Sequence, residues 1–327
     1  MQKTGNVMAH QDLTVLVVGT GSIANRHIVN LLALGVDVCF HTTNVSRLTT
    51  IASTYGITGY DDYMAALDHS DAVIIANPTD LHHLYALPAL RLNKSIFLEK
   101  PISHDLGFAM EIYDNSHGHI IEVGCQFRAS KNLQHLKLLL SQGLFTYYYN
   151  VSMGLRLDQW RPSRDYKNSY SAQRCRGGGA LFDLIHTIDS AIWLFGDVVT
   201  ATGQSRNSNT LMIDADEVTL LSLSHANSVI GQIQNDMVSP YYRGGIELIT
   251  TDDIYYYSIP KCQLFKRFNS NQDLINISPD PSESRDALFL SHMQYFLRRI
   301  TTPSLPPLCS IDDAIKALKV IQNITSG

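Results

Sequence analysis

Cysteine is sparse in this 327-residue chain: there are five, at positions 39, 125, 175, 262 and 309, with no CxxC pair. Such a scattered, odd-numbered set gives little support to a disulfide framework or a zinc site, and unpaired thiols fit a reducing compartment. Charge is sparse too, at 17% of residues with a formal net value of −5. A protein that grips phosphate backbones needs a basic face, so nucleic acid is not expected as a partner. No run approaches the ~18 to 20 apolar residues that span a bilayer, so no membrane partner is expected either. Residues 1–11 are polar and lack the apolar stretch of a secretory signal. A cytoplasmic location is therefore the expectation, and matches such as Asn150-Val151-Ser152 then carry no glycan. Internal repeats and low-complexity segments are absent.

Hydrophobic residues are present at an ordinary 45%, enough for two compact domains, each with its own core. Residues 1–124 alternate short apolar runs (13–18, 36–40, 72–76, 95–98 and 120–123) with helical patterns at 23–34, 81–92 and 106–116. Strands separated by helices of that length predict βαβ crossovers and a doubly wound parallel sheet. Residues 125–327 read differently. Helices are predicted at 131–141 and 180–195, and a strand at 146–155. Strands at 217–224, 229–236, 246–250 and 254–259 follow at close spacing, before a last helix at 312–323. Close spacing predicts a large, mostly antiparallel open sheet, so the fold class is α/β in both domains.

Gly19-Thr20-Gly21-Ser22-Ile23-Ala24 is a GxGxxA pattern between a strand and a helix, the context a Rossmann dinucleotide loop requires. Gly19 permits the tight turn, and Gly21 lets the backbone approach a pyrophosphate lying against the helix N-terminus. About 20 residues on, NAD-selective sites carry a carboxylate for the ribose. This chain has His41, Thr42, Thr43 and Asn44 there, with Arg47 beyond, and Asp37 comes too early. The cofactor is therefore expected to be NADP or NAD, with hydroxyls placed to favour NADP. Glu99-Lys100-Pro101 ends a strand, so Lys100 falls at the mouth of the cofactor crevice, where it can transfer a proton or orient a hydroxyl. His82 and His83 cap or line the crevice.

Gly177-Gly178-Gly179 precedes a helix and is expected to let backbone approach a ligand. Within that helix Leu181, Leu184, Ile185, Ile188 and Ile192 form a core stripe. Asp183 and His186, three apart, neighbour each other on the opposite face, where Asp183 can fix the tautomer and basicity of His186. A polar face opposite a core stripe also suits any surface helix. The polar stretch 156–176 is too long for a turn. There Trp160 and Arg161 are expected to close over nicotinamide and substrate, and Arg164, Tyr166 and Tyr170 to read sugar hydroxyls or an acidic group. No set of side chains converges as a metal site in the sequence.

Taken together, Gly19–Ala24, Asn77-Pro78-Thr79 followed by His82, Glu99-Lys100-Pro101, and the triple glycine leading into Asp183 and His186 resemble the Gfo/Idh/MocA oxidoreductases over nearly the whole chain. The resemblance implies a Rossmann domain followed by an α/β domain whose open sheet makes a homo-oligomer, either a dimer or a tetramer. It implies that Lys100 and His186 flank the substrate and assist proton transfer. Gln126-Phe127-Arg128, Trp160–Tyr166 and Ser169-Tyr170-Ser171 look like one branch, whose members often lie in surface-polysaccharide or nonulosonic-acid pathways. That branch has glutamate where this chain has Thr187.

The expected activity is hydride transfer between nicotinamide and a hydroxyl or keto carbon of a sugar, with a nucleotide-linked or acidic substrate suggested by Arg128, Arg161 and Arg164. His186 would exchange the hydroxyl proton, Lys100 polarise the oxygen, and Asp183 orient His186. Cofactor contacts are expected from the loop (Gly19, Gly21, Ser22, Ile23, Ala24), from Thr42, Asn44 and Arg47, from Asn77, Pro78, Thr79 and His82, and from Glu99, Trp160 and Arg161. Substrate contacts are expected from Lys100, Arg128, Arg164, Tyr166, Tyr170 and His186. Two other readings fit the same motifs: a dinucleotide-binding regulator without turnover, and an enzyme that uses the cofactor transiently with no net oxidation.

Overall fold

The structure is a computed structural model and describes residues 13–160, 162, 165–268 and 273–325. The first half is built on strands β1 (Thr14–Val18), β2 (Asp37–His41), β3 (Thr58–Tyr60), β4 (Ala72–Ile75), β5 (Ser95–Leu98) and β6 (Ile121–Val123). Helices α1 (Ser22–Ala33), α2 (Val45–Tyr55), α3 (Tyr63–Asp68), α4 (His82–Arg91) and α5 (Leu106–Asp114) connect them. All pairs are parallel and the order is β3-β2-β1-β4-β5-β6. Strands β1 and β4 are buried on both faces, as helix-covered parallel strands must be, and so read as unbroken apolar runs. Strand order reverses direction between β1 and β4, which opens a crevice beyond their carboxyl ends.

In the second half, β7 (Thr146–Gly154), β8 (Val198–Arg206), β9 (Val218–His225), β10 (Ile230–Asp236), β11 (Arg243–Thr250), β12 (Asp253–Ser258), β13 (Gln263–Phe268) and β14 (Leu274–Asn276) form one open sheet. Its order is β14-β13-β12-β11-β7-β10-β9-β8, antiparallel except for the β7–β10 pair. Helices here are α6 (Lys131–Ser141), α7 (Leu157–Trp160), α8 (Ala180–Asp183), α9 (His186–Phe195), α10 (Arg285–Thr301) and α11 (Ile311–Thr325). Burial alternates along β9 and β10, so helices cover one face and the other is open.

Two departures from the sequence reading bear on the site. The helix predicted over 180–195 is two helices, α8 and α9, separated at Leu184 and Ile185. The chain also returns to the first domain after the second sheet. Met293, Phe296 and Leu297 of α10 join the core cluster of Val15, Val17, Ile28 and Leu31, and Phe296 packs edge-on against Phe97 of β5 (centroids 5.6 Å apart), completing the cover that α1 begins on one face of the first sheet. Glu122 of β6, fully buried, secures this return. It accepts hydrogen bonds from His292 Nε2 (3.0 Å), Arg299 Nη1 (3.1 Å) and the Cys309 amide (2.9 Å). The division expected after residue 124 falls just past β6, yet the first sheet's cover lies about 160 residues further along the chain, a distance set by β6 and α10.

Candidate active site

A cleft of about 820 Å³ lies between the two halves, floored by the ends of β1, β4 and β5 and walled by β7 and the segment after it. The GxGxxA loop forms its first wall. Gly19 adopts φ +110°, and a β-carbon there would meet Ala76 O at 2.9 Å, so this glycine is required by the protein itself. Gly21 differs: nothing lies within 4 Å of where a side chain would stand. It caps α1 with no side-chain hydrogen bond, and the first turn holds no acidic residue. The first amides of α1 therefore point at open cleft, which fits a pyrophosphate. Ser22 and Ile23 line the cleft, whereas Ala24 is fully buried beneath it and serves helix–sheet packing.

At the end of β2, Thr42, Thr43 and Arg47 line the cleft, and Arg47 Nη1 donates to Thr20 O at 2.8 Å. Asn44 does not join them. Its Oδ1 accepts from the Arg47 amide (3.1 Å) and Ser46 Oγ (2.7 Å), because the start of α2 needs an N-cap. The next wall is Asn77, Pro78, Thr79 and His82. His82 is buried against Asn77 O (3.0 Å), and burial pushes its imidazole below the ordinary value. Both side-chain polar atoms of Asn77 are buried without a hydrogen-bond partner among the described residues, which suits contact with a bound ribose or nicotinamide. His83 stacks on Phe108 outside the cleft, with ring centroids 3.9 Å apart.

Glu99 accepts from His27 Nε2 at 2.7 Å and from the Lys100 amide at 3.2 Å. Burial alone would raise its carboxyl, but the His27 hydrogen bond and the Lys100 charge outweigh burial and hold it below the usual range. Lys100 Nζ donates to the Asp183 carbonyl at 2.8 Å, fixing the ammonium at the centre of the cleft. His186, first residue of α9, is 5% exposed and packs its ring on Phe127, with centroids 5.1 Å apart. Its Nε2 lies 3.4 Å from Gln126 Nε2, and its buried Nδ1 has no partner among the described residues. Burial first, then the Lys100 and Arg285 charges, hold this imidazole well below its ordinary value, so it is neutral and able to accept a proton.

Several expectations need correction. The Asp183 carboxylate accepts from the Tyr170 hydroxyl at 2.9 Å, and the described contacts of His186 run instead to Gln126 and Phe127. The break at Leu184 and Ile185 removes the helical register that would have set the two side by side. The Asp183 carbonyl, for its part, accepts from Lys100 Nζ. The triple glycine admits protein: a side chain on Gly177 would meet His104, one on Gly178 the Tyr170 and Ser171 carbonyls, and one on Gly179 the Asp216 carboxylate. Thr187 turns to Asn235 of β10, whose Nδ2 donates to its hydroxyl at 2.9 Å. Arg128 is buried outside the cleft, forked onto Asp189 (2.7 and 3.1 Å) and held by Asp313 at 3.0 Å. Its charge staples α9 to α11 and is not available to a substrate. The fold also gathers Cys125, Asp189 and Cys309 with ligand atoms within 4.8 Å of one another, a set too dispersed in sequence to be read there. Arg128 already occupies both oxygens of Asp189.

Trp160 lines the cleft with its indole N–H donated to Leu155 O at 2.8 Å, and Tyr166 does so with its hydroxyl on Leu211 O at 3.1 Å. Arg161 and Arg164 lie outside the described residues. Arg176 and Asp80 form a two-pronged ion pair (2.8 and 3.1 Å) that joins the second domain to the first at the cleft rim. Gln126 also lines the cleft, as do Arg26, Tyr242, Arg285 and Phe289, which belong to no motif read in the sequence.

Comparisons with known proteins agree with this architecture. Residues 13–123 match the family described as "Oxidoreductase family, NAD-binding Rossmann fold", and residues 134–255 match "GFO/IDH/MocA C-terminal domain". The chain is 25% identical to the scyllo-inositol 2-dehydrogenase (NAD(+)) of Bacillus subtilis, over 94% of this chain and 92% of that protein. It is 23% identical to the glucose-6-phosphate 3-dehydrogenase of the same organism, over 67% of this chain and 64% of that protein. Among solved structures, levoglucosan dehydrogenase in complex with NADH superposes with a TM-score of 0.85 at 18% identity, with 96% of each chain covered, a likeness of fold. No described helix is long and apolar enough to cross a membrane. The chain belongs to the Gfo/Idh/MocA family of oxidoreductases, with that family's NAD-binding Rossmann domain and C-terminal domain.

Proposed function

We propose that the protein is an NAD(P)-dependent dehydrogenase or reductase of a sugar or sugar derivative. The observation that carries this reading is the meeting of Lys100 and a neutral, buried His186 in the same cleft as the phosphate loop. Bound nicotinamide supplies the hydride acceptor or donor. The residues supply the proton chemistry: His186 takes the proton of the reacting hydroxyl, and the Lys100 ammonium stabilises the negative charge that develops on that oxygen. The Asp183 carbonyl and the Glu99–His27 pair hold Lys100 in place. The named activities of the inositol and glucose-6-phosphate dehydrogenases support a polyol or sugar as substrate.

The test is reduction of NAD⁺ and NADP⁺ across a panel of sugars, sugar acids and inositols. His186→Ala and Lys100→Met are each expected to lower kcat by about 10²- to 10⁴-fold, the range for general acid–base groups, while dinucleotide binding persists. Full activity in both variants would overturn the assignment. Cofactor binding without turnover on any sugar would favour a regulatory role.

The proposal includes a preference for NADP. No carboxylate stands at the end of β2, and Thr42, Thr43 and Arg47 face the cleft where a 2′-phosphate would lie. Arg47→Ala is expected to shift the NADP⁺-to-NAD⁺ affinity ratio by about tenfold toward NAD⁺. It includes assembly through the second sheet as well, where Tyr148, Ile230 and Leu220 are exposed on the face without helices. A monomer by light scattering would remove that element. A place in surface-polysaccharide sugar metabolism rests on the sequence resemblance of Gln126-Phe127-Arg128, Trp160–Tyr166 and Ser169-Tyr170-Ser171 alone.

A further inference from the structure

The charges lining the cleft are nearly all spoken for. Arg26 is paired with Asp286, Arg176 with Asp80, Arg47 with the Thr20 carbonyl and Lys100 with the Asp183 carbonyl. The carboxylates are engaged too: Glu99 by His27, Asp183 by Tyr170, and Asp165 by the Lys167 amide. Arg285 is the exception. It opens α10, lines the cleft beside Tyr242 and Phe289, and makes no ion pair or hydrogen bond among the described residues. Its one described contact is with the Phe289 ring, whose centroid lies 5.8 Å from the guanidinium carbon. His186 lines the same cleft, and its buried Nδ1 has no partner among the described residues. A guanidinium without an anion and an imidazole without a hydroxyl thus line one cleft.

We propose that Arg285 anchors an anionic group of the substrate, a carboxylate or a phosphoryl, so that the protein acts on acidic sugars. The planar fork of arginine matches either group with two parallel hydrogen bonds, and the Phe289 ring steadies the fork against the cleft wall. A sugar whose hydroxyl reaches His186 and whose acid reaches Arg285 satisfies both groups at once. Glu99 lies beside Lys100, whereas no carboxylate among the described residues pairs with Arg285, so a neutral sugar would leave that guanidinium unmatched. The inference rests on the cleft being a sugar site, as proposed above, and it adds the class of sugar and the residue that selects it. It replaces Arg128, whose charge is consumed by Asp189 and Asp313.

The experiment is calorimetric titration of the full chain, with oxidised cofactor present, using D-glucose, D-glucuronate and D-glucose 6-phosphate. At least one of the two acidic sugars is expected to bind about tenfold or more tightly than glucose, and the better of the two identifies carboxylate or phosphoryl as the recognised group. Arg285→Ala is expected to lower that preference by about 10- to 100-fold, the range for losing a hydrogen bond to a charged group. Arg285→Lys should keep part of it. Arg285 is exposed at the start of its helix, so an unchanged thermal midpoint in both variants is expected and confirms folding. An undiminished preference in Arg285→Ala overturns the proposal. So does the lack of any preference, whether glucose binds equally or neither acid binds. Because binding is read without hydride transfer, the two proposals part cleanly. An arginine-dependent acid preference with no turnover keeps this one and removes the dehydrogenase reading, and turnover of neutral sugars without acid preference does the reverse.

Discussion

Gly19 and Gly21 stand two residues apart in one motif and are glycine for different reasons. Gly19 is pressed against the Ala76 carbonyl at a positive φ, so any side chain there strains the turn. Gly21 faces empty cleft in an extended conformation open to other residues. Gly21→Asp is therefore expected to fold with an unchanged thermal midpoint while losing the stabilisation that NAD⁺ or NADP⁺ confers, since it sets a carboxylate where the pyrophosphate would lie. A variant stabilised as strongly as the parent would refute that placement. His186 yields a second expectation. Because burial and the Lys100 and Arg285 charges lower its affinity for protons, the acidic limb of the kcat/KM profile should fall below 6.5, the ordinary imidazole value. Lys100→Met or Arg285→Ala removes one of the two cations, and each should move that limb upward. A limb at or above the ordinary value in the parent would mean that His186 does not carry the proton. Lys100, His186 and the loop glycines were legible because each sits in a short contiguous motif. Arg128 misled because an arginine in sequence does not disclose its partner, and Asp189 and Asp313 lie far along the chain. Arg285 had no motif to mark it.

At the level of elements, five of the six strands of the first sheet were readable as apolar runs, whereas β3, α2, α3, α10, β8, β13 and β14 were not recognised. The apolar positions of α10, Leu288, Phe289, Met293, Phe296 and Leu297, do recur at helical spacing. They are interleaved with His292 and Arg299, polar residues that are buried on Glu122 and so mask the stripe. Strand β8 is polar and mostly exposed, an edge strand with little apolar alternation to detect. The interruption between α8 and α9 was hidden because the apolar stripe continues through it: Leu184 and Ile185 are buried although neither is helical. The packing of α10 makes a quantitative expectation possible. Phe296 is fully buried against the first sheet, so Phe296→Ala should cost about 3–5 kcal/mol in urea unfolding with an unchanged slope. A loss below about 1 kcal/mol would mean that the helix does not share the fold of the first sheet.

The molecule as a whole should respond to acid through its buried histidines. His41, His82, His186 and His225 are all pushed below the ordinary imidazole value, with burial the largest cause in each. The native state keeps these rings neutral, while the unfolded chain protonates them near 6.5. Unfolding therefore takes up protons as pH falls below that value, and stability declines progressively until the native rings titrate. Glu99 acts later, its contribution being present above 4.5 and lost as pH falls through its lower native value. The thermal midpoint should fall between about pH 7.5 and about pH 5.5, before ordinary carboxylates titrate. A flat midpoint over that interval would contradict the burial of these rings.

The return of α10 also bears on how the chain is made. On the ribosome the first sheet emerges complete by residue 123, but α10, which packs on Phe97 beside α1, begins only at Arg285. At ~5–20 residues per second, the nascent half carries the part of that face reserved for α10 uncovered for roughly 8 to 30 s. Synthesis thus leaves an apolar patch open to other apolar surfaces until α10 arrives, and slower translation between these two points would lengthen its exposure.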